Sequence, residues 1–189
     1  MTPVQYARGI DGWMRTAELA WLAETAAALP VGATWIECGV WHGRSWSCTA
    51  LSLPAPAIIV AVDIFGACDA ARAEGMLVAV GHDPEVEFEV VRRDVMAQRP
   101  ALSCPVIRST SVVALNLLAS DLADVVFIDS DHTAETTYQE IVAARRVVKA
   151  GGLICGHDAE DGPVREALCA AIGTINLVVA GSIWAHRCV

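Results

Sequence analysis

From Thr34 onward the sequence alternates short apolar runs with longer stretches of helical periodicity. That alternation constrains the fold most, because strands separated by helices pair side by side in a parallel sheet with helices on both faces. The runs are Trp35–Val40, Ile58–Ile64, Val106–Arg108, Asp124–Ile128 and Leu153–Cys155. They stop at Gly39 and Gly43, at Gly66, at Ser109-Thr110-Ser111, at Asp129-Ser130-Asp131-His132 and at Gly156-His157-Asp158. The carboxyl ends of the strands form the ligand crevice of an open α/β sheet, so a site is expected where these acids, histidines and hydroxyls collect.

The intervening segments have their own signals. Thr16 to Leu29 places Leu19, Leu22, Ala23, Ala26 and Leu29 at helical spacing and stops at Pro30-Val31-Gly32. Thr133 to Lys149 aligns Tyr138, Ile141, Val142 and Val148, with Glu135 in the first turn and Arg145, Arg146 and Lys149 in the last, as the helix dipole favours. Pro84 to Gln98 reads either as a strand around VEFEVV or as a helix, and the need for a crossover favours the helix. Val164–Ile172 reads as a helix, followed by two closing strands, Ile175–Val179 and Ser182–Arg187.

A chain of 189 residues suits one domain, with residues 1–31 as a helical extension and 32–189 as the α/β core. With 54% hydrophobic and 19% charged residues the chain is not disordered, and no apolar run approaches the roughly 20 residues of a membrane span. The N-terminus lacks the apolar core of a signal peptide, so the cytoplasm is the expected compartment. Seven cysteines without a C-x-x-C pair read as reduced and mostly buried. A formal net charge of −9 disfavours a nucleic-acid surface. A small-molecule substrate is expected, with no membrane partner; a homodimer is left open.

The stretch WIECGVWHGRS carries the first constellation. A glycine turn between a strand and the next helix lets a ligand approach the backbone, yet neither G-x-G-x-x-G nor a phosphate loop is present. A ligand without phosphates fits better, with Glu37 at the strand tip facing a ligand ammonium group or orienting the loop. Asp63, closing the second strand in VAVDIFG, is placed to accept both hydrogen bonds of a ribose diol. Of Trp41, His42 and Trp46, the first is the better candidate for a wall of the site and Trp46 for the core.

E-C-G-V-W-H-G-R-S, then VDIFG, then FIDSDHTAETTYQEI and VVKAGGLICGHD, together resemble a class I S-adenosylmethionine-dependent methyltransferase. The resemblance is nearest to the small O-methyltransferase-like and cephalosporin-hydroxylase-like domains and covers roughly residues 12 to 187. It implies a Rossmann-like doubly wound sheet of seven mostly parallel strands whose last strand is antiparallel. It implies S-adenosyl-L-methionine as cofactor over the first two strands. Glu37 and Gly39 would then lie near its methionine part, Asp63 at the ribose, Ser109 and Ser111 near the adenine, and Asp129 beside the sulfonium, with Trp41 and Gly43 also bordering the cofactor and Trp41 pointing toward whatever is methylated.

In metal-dependent relatives of this kind, acids after the fourth and fifth strands hold a divalent ion. Asp129, Asp131, His157 and Asp158 are the corresponding candidates for Mg2+ or another divalent metal, with His157-Asp158 a departure from the usual Asp-Asp or Asp-Asn pair. Asp158 and His132 are the catalytic candidates. His132 would accept a hydroxyl proton from the acceptor, or else serve as a helix N-terminal residue bonded to its loop. The expected activity is O-methylation of a small molecule. The rivals are a domain that binds the cofactor without transferring the methyl group, and a nicotinamide-dependent oxidoreductase, against which the missing third glycine counts.

Overall fold

The computed structural model describes residues 1–66, 83–173 and 177–189. In chain order the elements are α1 (Pro3–Ala7), α2 (Thr16–Ala27), β1 (Thr34–Cys38), α3 (Arg44–Ser52), β2 (Ala57–Asp63), α4 (Pro84–Gln98), β3 (Leu102–Ser103), β4 (Val106–Arg108), α5 (Ser111–Leu117), β5 (Ala123–Ile128), α6 (Ala134–Val147), β6 (Val148–Gly156), α7 (Gly162–Ile172), β7 (Val178–Ala180) and β8 (Ile183–Arg187). The Cys68 assignment and the first two residues of the strand expected at Ile175–Val179 lie outside the described residues.

β1 is buried along its whole length because it lies between two parallel neighbours, β2 and β5. The sheet runs β3-β2-β1-β5-β6-β8-β7, and β4 also pairs with β2. The expected Rossmann-like α/β sheet is present, and β8 runs antiparallel to both β6 and β7. Eight strands fill seven positions, because β3 and β4 pair with successive parts of β2. Cys104-Pro105 divides them: proline has no N–H to give a ladder, although its carbonyl still accepts from the Ala61 amide at 3.0 Å. Between β1 and β5 the strand order reverses, which is where such a sheet opens a crevice.

Alternation along the strands sends side chains to two cores. Trp35, Ile59, Val125, Phe127 and Cys155 meet Leu19 and Leu22 of α2, Trp46 of α3 and Phe88 of α4 on one face. Ile36, Val60, Val126, Ile128 and Ile154 meet Leu115, Ile141, Val147 and Leu168 of α5 to α7 on the other. Trp46 is fully buried and stands edge-on to Phe88 at 5.2 Å, as a core residue should. The N-terminal extension is therefore one layer of the first core.

Pro84–Gln98 is helical, opened by Asp83 as cap and Pro84 in the first turn; Phe88 and Val95 go inward while Val86 and Val90 face solvent. α6 ends at Val147, earlier than its sequence pattern suggests, since Val148 already pairs with Ala123 and Lys149 bonds Asp124 at 2.7 Å. Among the described residues no helix is long and apolar enough to cross a membrane. Cys38, Cys48 and Cys155 are buried and unpaired, whereas Cys169 is exposed.

Candidate functional site

β1 ends at Cys38 and the chain turns through Gly39, with φ +85°, into a loop that Gly43 closes in the left-handed conformation as the cap of α3. A Cβ on Gly39 would collide with the Asp129 carbonyl, so only glycine lets the tips of β1 and β5 approach this closely. One on Gly43 would press on the Phe88 ring at 3.0 Å, which makes that glycine a packing requirement. The loop is held from β2. Asp63 Oδ2 accepts from the amides of Val40 and Trp41, both at 2.8 Å, and Oδ1 accepts from Phe65 at 2.7 Å. A carboxylate has about four acceptor positions, so three of those on Asp63 are committed to backbone and one is left for a ligand.

Non-glycine residues with positive φ are uncommon and collect at functional sites. Trp41, Phe65 and Asp158 are such residues, and they stand beyond the ends of β1, β2 and β6 respectively. Trp41 stacks between His42, at 3.7 Å, and Trp13 of the N-terminal segment, at 4.4 Å. Trp13 is 64% exposed and carries no periodic signal that would have marked it in the sequence. His42 is turned inward, its Nδ1 3.1 Å from Glu87.

Glu37 lies under this loop, fully enclosed. The Ser45 hydroxyl donates to its Oε1 at 2.6 Å and its Oε2 has no partner. Burial pushes its pKa up to about 8; the Ser45 hydrogen bond opposes this, and the charges of Asp129 and Asp63 add to it. Three acids thus surround the end of β1.

The second constellation lies at the tips of β5 and β6. His132 Nε2 is 3.1 Å from Asp158 Oδ2 and 3.7 Å from Asp129 Oδ1. His157 Nδ1 is 3.2 Å from Asp158 Oδ1 and 3.8 Å from Asp129, while its Nε2 faces Glu18 at 3.3 Å. The neighbouring carboxylates of Asp129 and Asp158 raise the pKa of His132 to about 10. For His157 burial acts in the opposite direction, but the Asp158 hydrogen bond and the charges of Asp129, Asp158 and Glu18 carry it to about 9. Burial would raise Asp158, yet hydrogen bonds from both imidazoles hold it well below the usual carboxylate range. At neutral pH both rings are cations, so in this state His132 has no free lone pair with which to take a proton.

The four residues expected to bind a metal do not come together as a set. Asp131 bends back to accept from the Thr133 amide at 2.9 Å, and both nitrogens of His157 face carboxylates. Among the described residues the group whose ligand atoms lie within 4.8 Å of one another is Asp129, His132 and Asp158. A metal there requires a neutral His132, so it competes with the ion pair.

Ser109 donates its amide to the Asp63 carbonyl at 3.1 Å. The Ser111 hydroxyl donates to Ser130 at 2.8 Å, and Ser130 donates in turn to Glu140. Glu140 is fully buried and its pKa is about 7, raised by burial against the Ser111 and Ser130 hydrogen bonds. Two buried acids, Glu140 and Glu18, were missed from sequence. The signal was there: Glu140 shares the inward stripe of Thr137, Ile141 and Ala144, and Glu18 that of Leu19, Leu22 and Ala26.

A mostly parallel sheet with helices on both faces, a glycine turn after β1 and acids at the adjoining strand tips define a Rossmann-like nucleotide-cofactor fold. A model of the family described as "Methyltransferase domain" matches residues 36–159, well over half the chain, and the protein belongs to that family. No curated protein matches it in sequence. Among solved structures, a Corynebacterium glutamicum protein is similar with a TM-score of 0.67 at 13% identity, covering 99% of this chain and 90% of that one. A SAM-dependent O-methyltransferase from Thermotoga maritima gives 0.61 at 13% identity, over 89% of this chain and 54% of that one. Cofactor-bound Rv0187 from MTB gives 0.61 at 16%, over 93% and 74%. At these identities the likeness is one of fold.

Two outcomes follow from this geometry. Asp63→Ala strands two amides of the loop and one of the turn after β2, and should lower stability by about 1–3 kcal/mol in denaturant unfolding, before any ligand is added. Stability should also fall as pH rises. Folded Glu37 keeps its proton to about 8 against 4.5 in the unfolded chain, so the native state binds more protons over that interval. His132 and His157, raised from 6.5 to about 10 and about 9, add stability that is whole below 6.5 and lost as pH climbs through their folded values. Thermal midpoints measured from about pH 6 to about pH 10 should decline, with Glu37→Gln flattening the lower part of the curve.

Proposed function

We propose that this protein transfers a methyl group from S-adenosylmethionine to a small acceptor, with a hydroxyl as the methylated group. The observation that carries the reading is the convergence of Glu37, Asp63 and Asp129 around Gly39 at the tips of three adjacent parallel strands. The charges of Asp63 and Asp129, with the unpartnered buried oxygen of a protonated Glu37 beneath them, suit a ligand with cationic groups, and S-adenosylmethionine has two, an ammonium and a sulfonium. The loop lacks a phosphate cradle, which disfavours a dinucleotide. The Thermotoga maritima protein that shares the fold is a SAM-dependent O-methyltransferase, of which this chain spans 54%, and the hydroxyl acceptor is proposed by analogy with it.

In this reading Glu37 and Gly39 lie toward the methionine part and Trp41 toward its edge. Asp63 offers its remaining acceptor position to the ribose, and Ser109 and Ser111 border the adenine. When bound, the cofactor supplies a methyl group on positively charged sulfur, open to attack by a lone pair. The chain's contribution is chiefly alignment, since methyl transfer is an in-line displacement for which positioning accounts for much of the rate. A hydroxyl acceptor must also release its proton. His132 Nε2, on a side chain 49% exposed at the strand tips, is the titratable atom presented there, and it serves as base only after shedding its own proton. Asp129 and Asp158 hold that proton in place. If a divalent cation takes part, Asp129, His132 and Asp158 are its ligands, and a set of two carboxylates and one imidazole suits a transition metal better than magnesium.

Thermal unfolding with added ligand tests the proposal. S-adenosylhomocysteine at about 100 times its dissociation constant should stabilise the protein by about 2.7 kcal/mol, and NAD should not. Stabilisation by NAD and none by S-adenosylhomocysteine would overturn the reading.

A further inference from the structure

Glu18 stands in the first turn of α2, 1% exposed, beside the apolar stripe of Leu19, Leu22 and Ala26. A carboxylate taken out of water is costly unless it is paired and hydrogen-bonded, and three groups meet this one. The Arg15 amide donates to Oε2 at 2.5 Å, the Ser182 amide donates to Oε1 at 2.9 Å, and His157 Nε2 faces Oε2 at 3.3 Å. The first partner belongs to the start of α2 and the second to the turn before β8. The third belongs to the tip of β6, inside the site.

The approach is built into the backbone. Gly181 has φ +55°, and a Cβ there would collide with the Glu18 carboxylate. Capping a helix and tying down a turn would be complete with the two amides. Neither task requires an imidazole whose other nitrogen points at Asp158 and Asp129.

We infer that Glu18 is a positioning residue of the site: through an ion pair at 3.3 Å with Nε2 of His157 it turns Nδ1 toward Asp158, and so fixes the carboxylate with which His132 pairs. Helix α2, outside the segment matched by the family model, thereby completes the site. What the wiring is for rests on the methyl-transfer reading; its existence does not.

The test is long-range 1H–15N correlation of the histidine rings in the full chain, with each variant's melting curve recorded and the wild type titrated with S-adenosylhomocysteine in parallel. In the wild type, His157 should show an Nε2–H correlation. Glu18→Gln should remove or displace it and shift the His132 ring signals as well. Gly181→Ala, which displaces the carboxylate without altering its charge, should do the same and serves if the first variant does not fold. A carboxylate that only braced α2 would lower the melting temperature and leave both rings unmoved, and that result overturns the inference. Ring signals that respond in a protein which S-adenosylhomocysteine does not bind uphold the positioning and sink the methyltransferase reading.

Discussion

The Asp63 carboxylate, at the end of β2, holds the loop after β1 by accepting from Val40 and Trp41, and holds its own turn by accepting from Phe65. Without that clamp the loop's amides would need water or one another, and the positive φ of Trp41 would have nothing to maintain it. The clamp in turn depends on register: β1 and β2 pair residue for residue up to Cys38 and Val62, which brings Asp63 level with the loop. Gly39 completes the arrangement from the other side by letting the Asp129 carbonyl approach. The site thus follows from three parallel strands ending together.

Acidic groups are concentrated there to a degree the surrounding packing does not require. Glu37 under the loop and Glu140 behind the Ser111-Ser130 pair each leave one carboxylate oxygen without a partner, and both titrate near neutrality because burial opposes ionisation. Across the tips of β5 and β6 the opposite holds: Asp158 stays ionised and two imidazoles stay charged because each has an opposite partner. An acid pocket beside a neutralised His-Asp cluster separates a place for a cation from a place where a proton can be held.

Much of the fold was legible in the sequence because strand and helix periods are local signals. The five runs fell on strands, and the ambiguous Pro84–Gln98 became a helix because the parallel sheet needs a crossover. The division of one edge position into β3 and β4 was not legible, since Leu102–Ser103 is two residues long and is defined only by its partner on β2. The tip acids of the site were visible as residues following apolar runs, but their partners were not. Asp63 read as a ligand contact; its commitment to three backbone amides depends on a loop conformation that no residue pattern states. His157 read as a metal ligand because nothing in the sequence places Glu18, more than a hundred residues earlier, against its other nitrogen.

The central claim is that the Asp63-clamped loop is the floor of a cofactor site. A crystal structure of the complex with S-adenosylhomocysteine tests it most directly. The account predicts the ligand across the tips of β1 and β2, its amino acid end over Gly39 and one ribose hydroxyl on the one acceptor position Asp63 has left. A ligand bound elsewhere, with the loop after β1 empty, would contradict it.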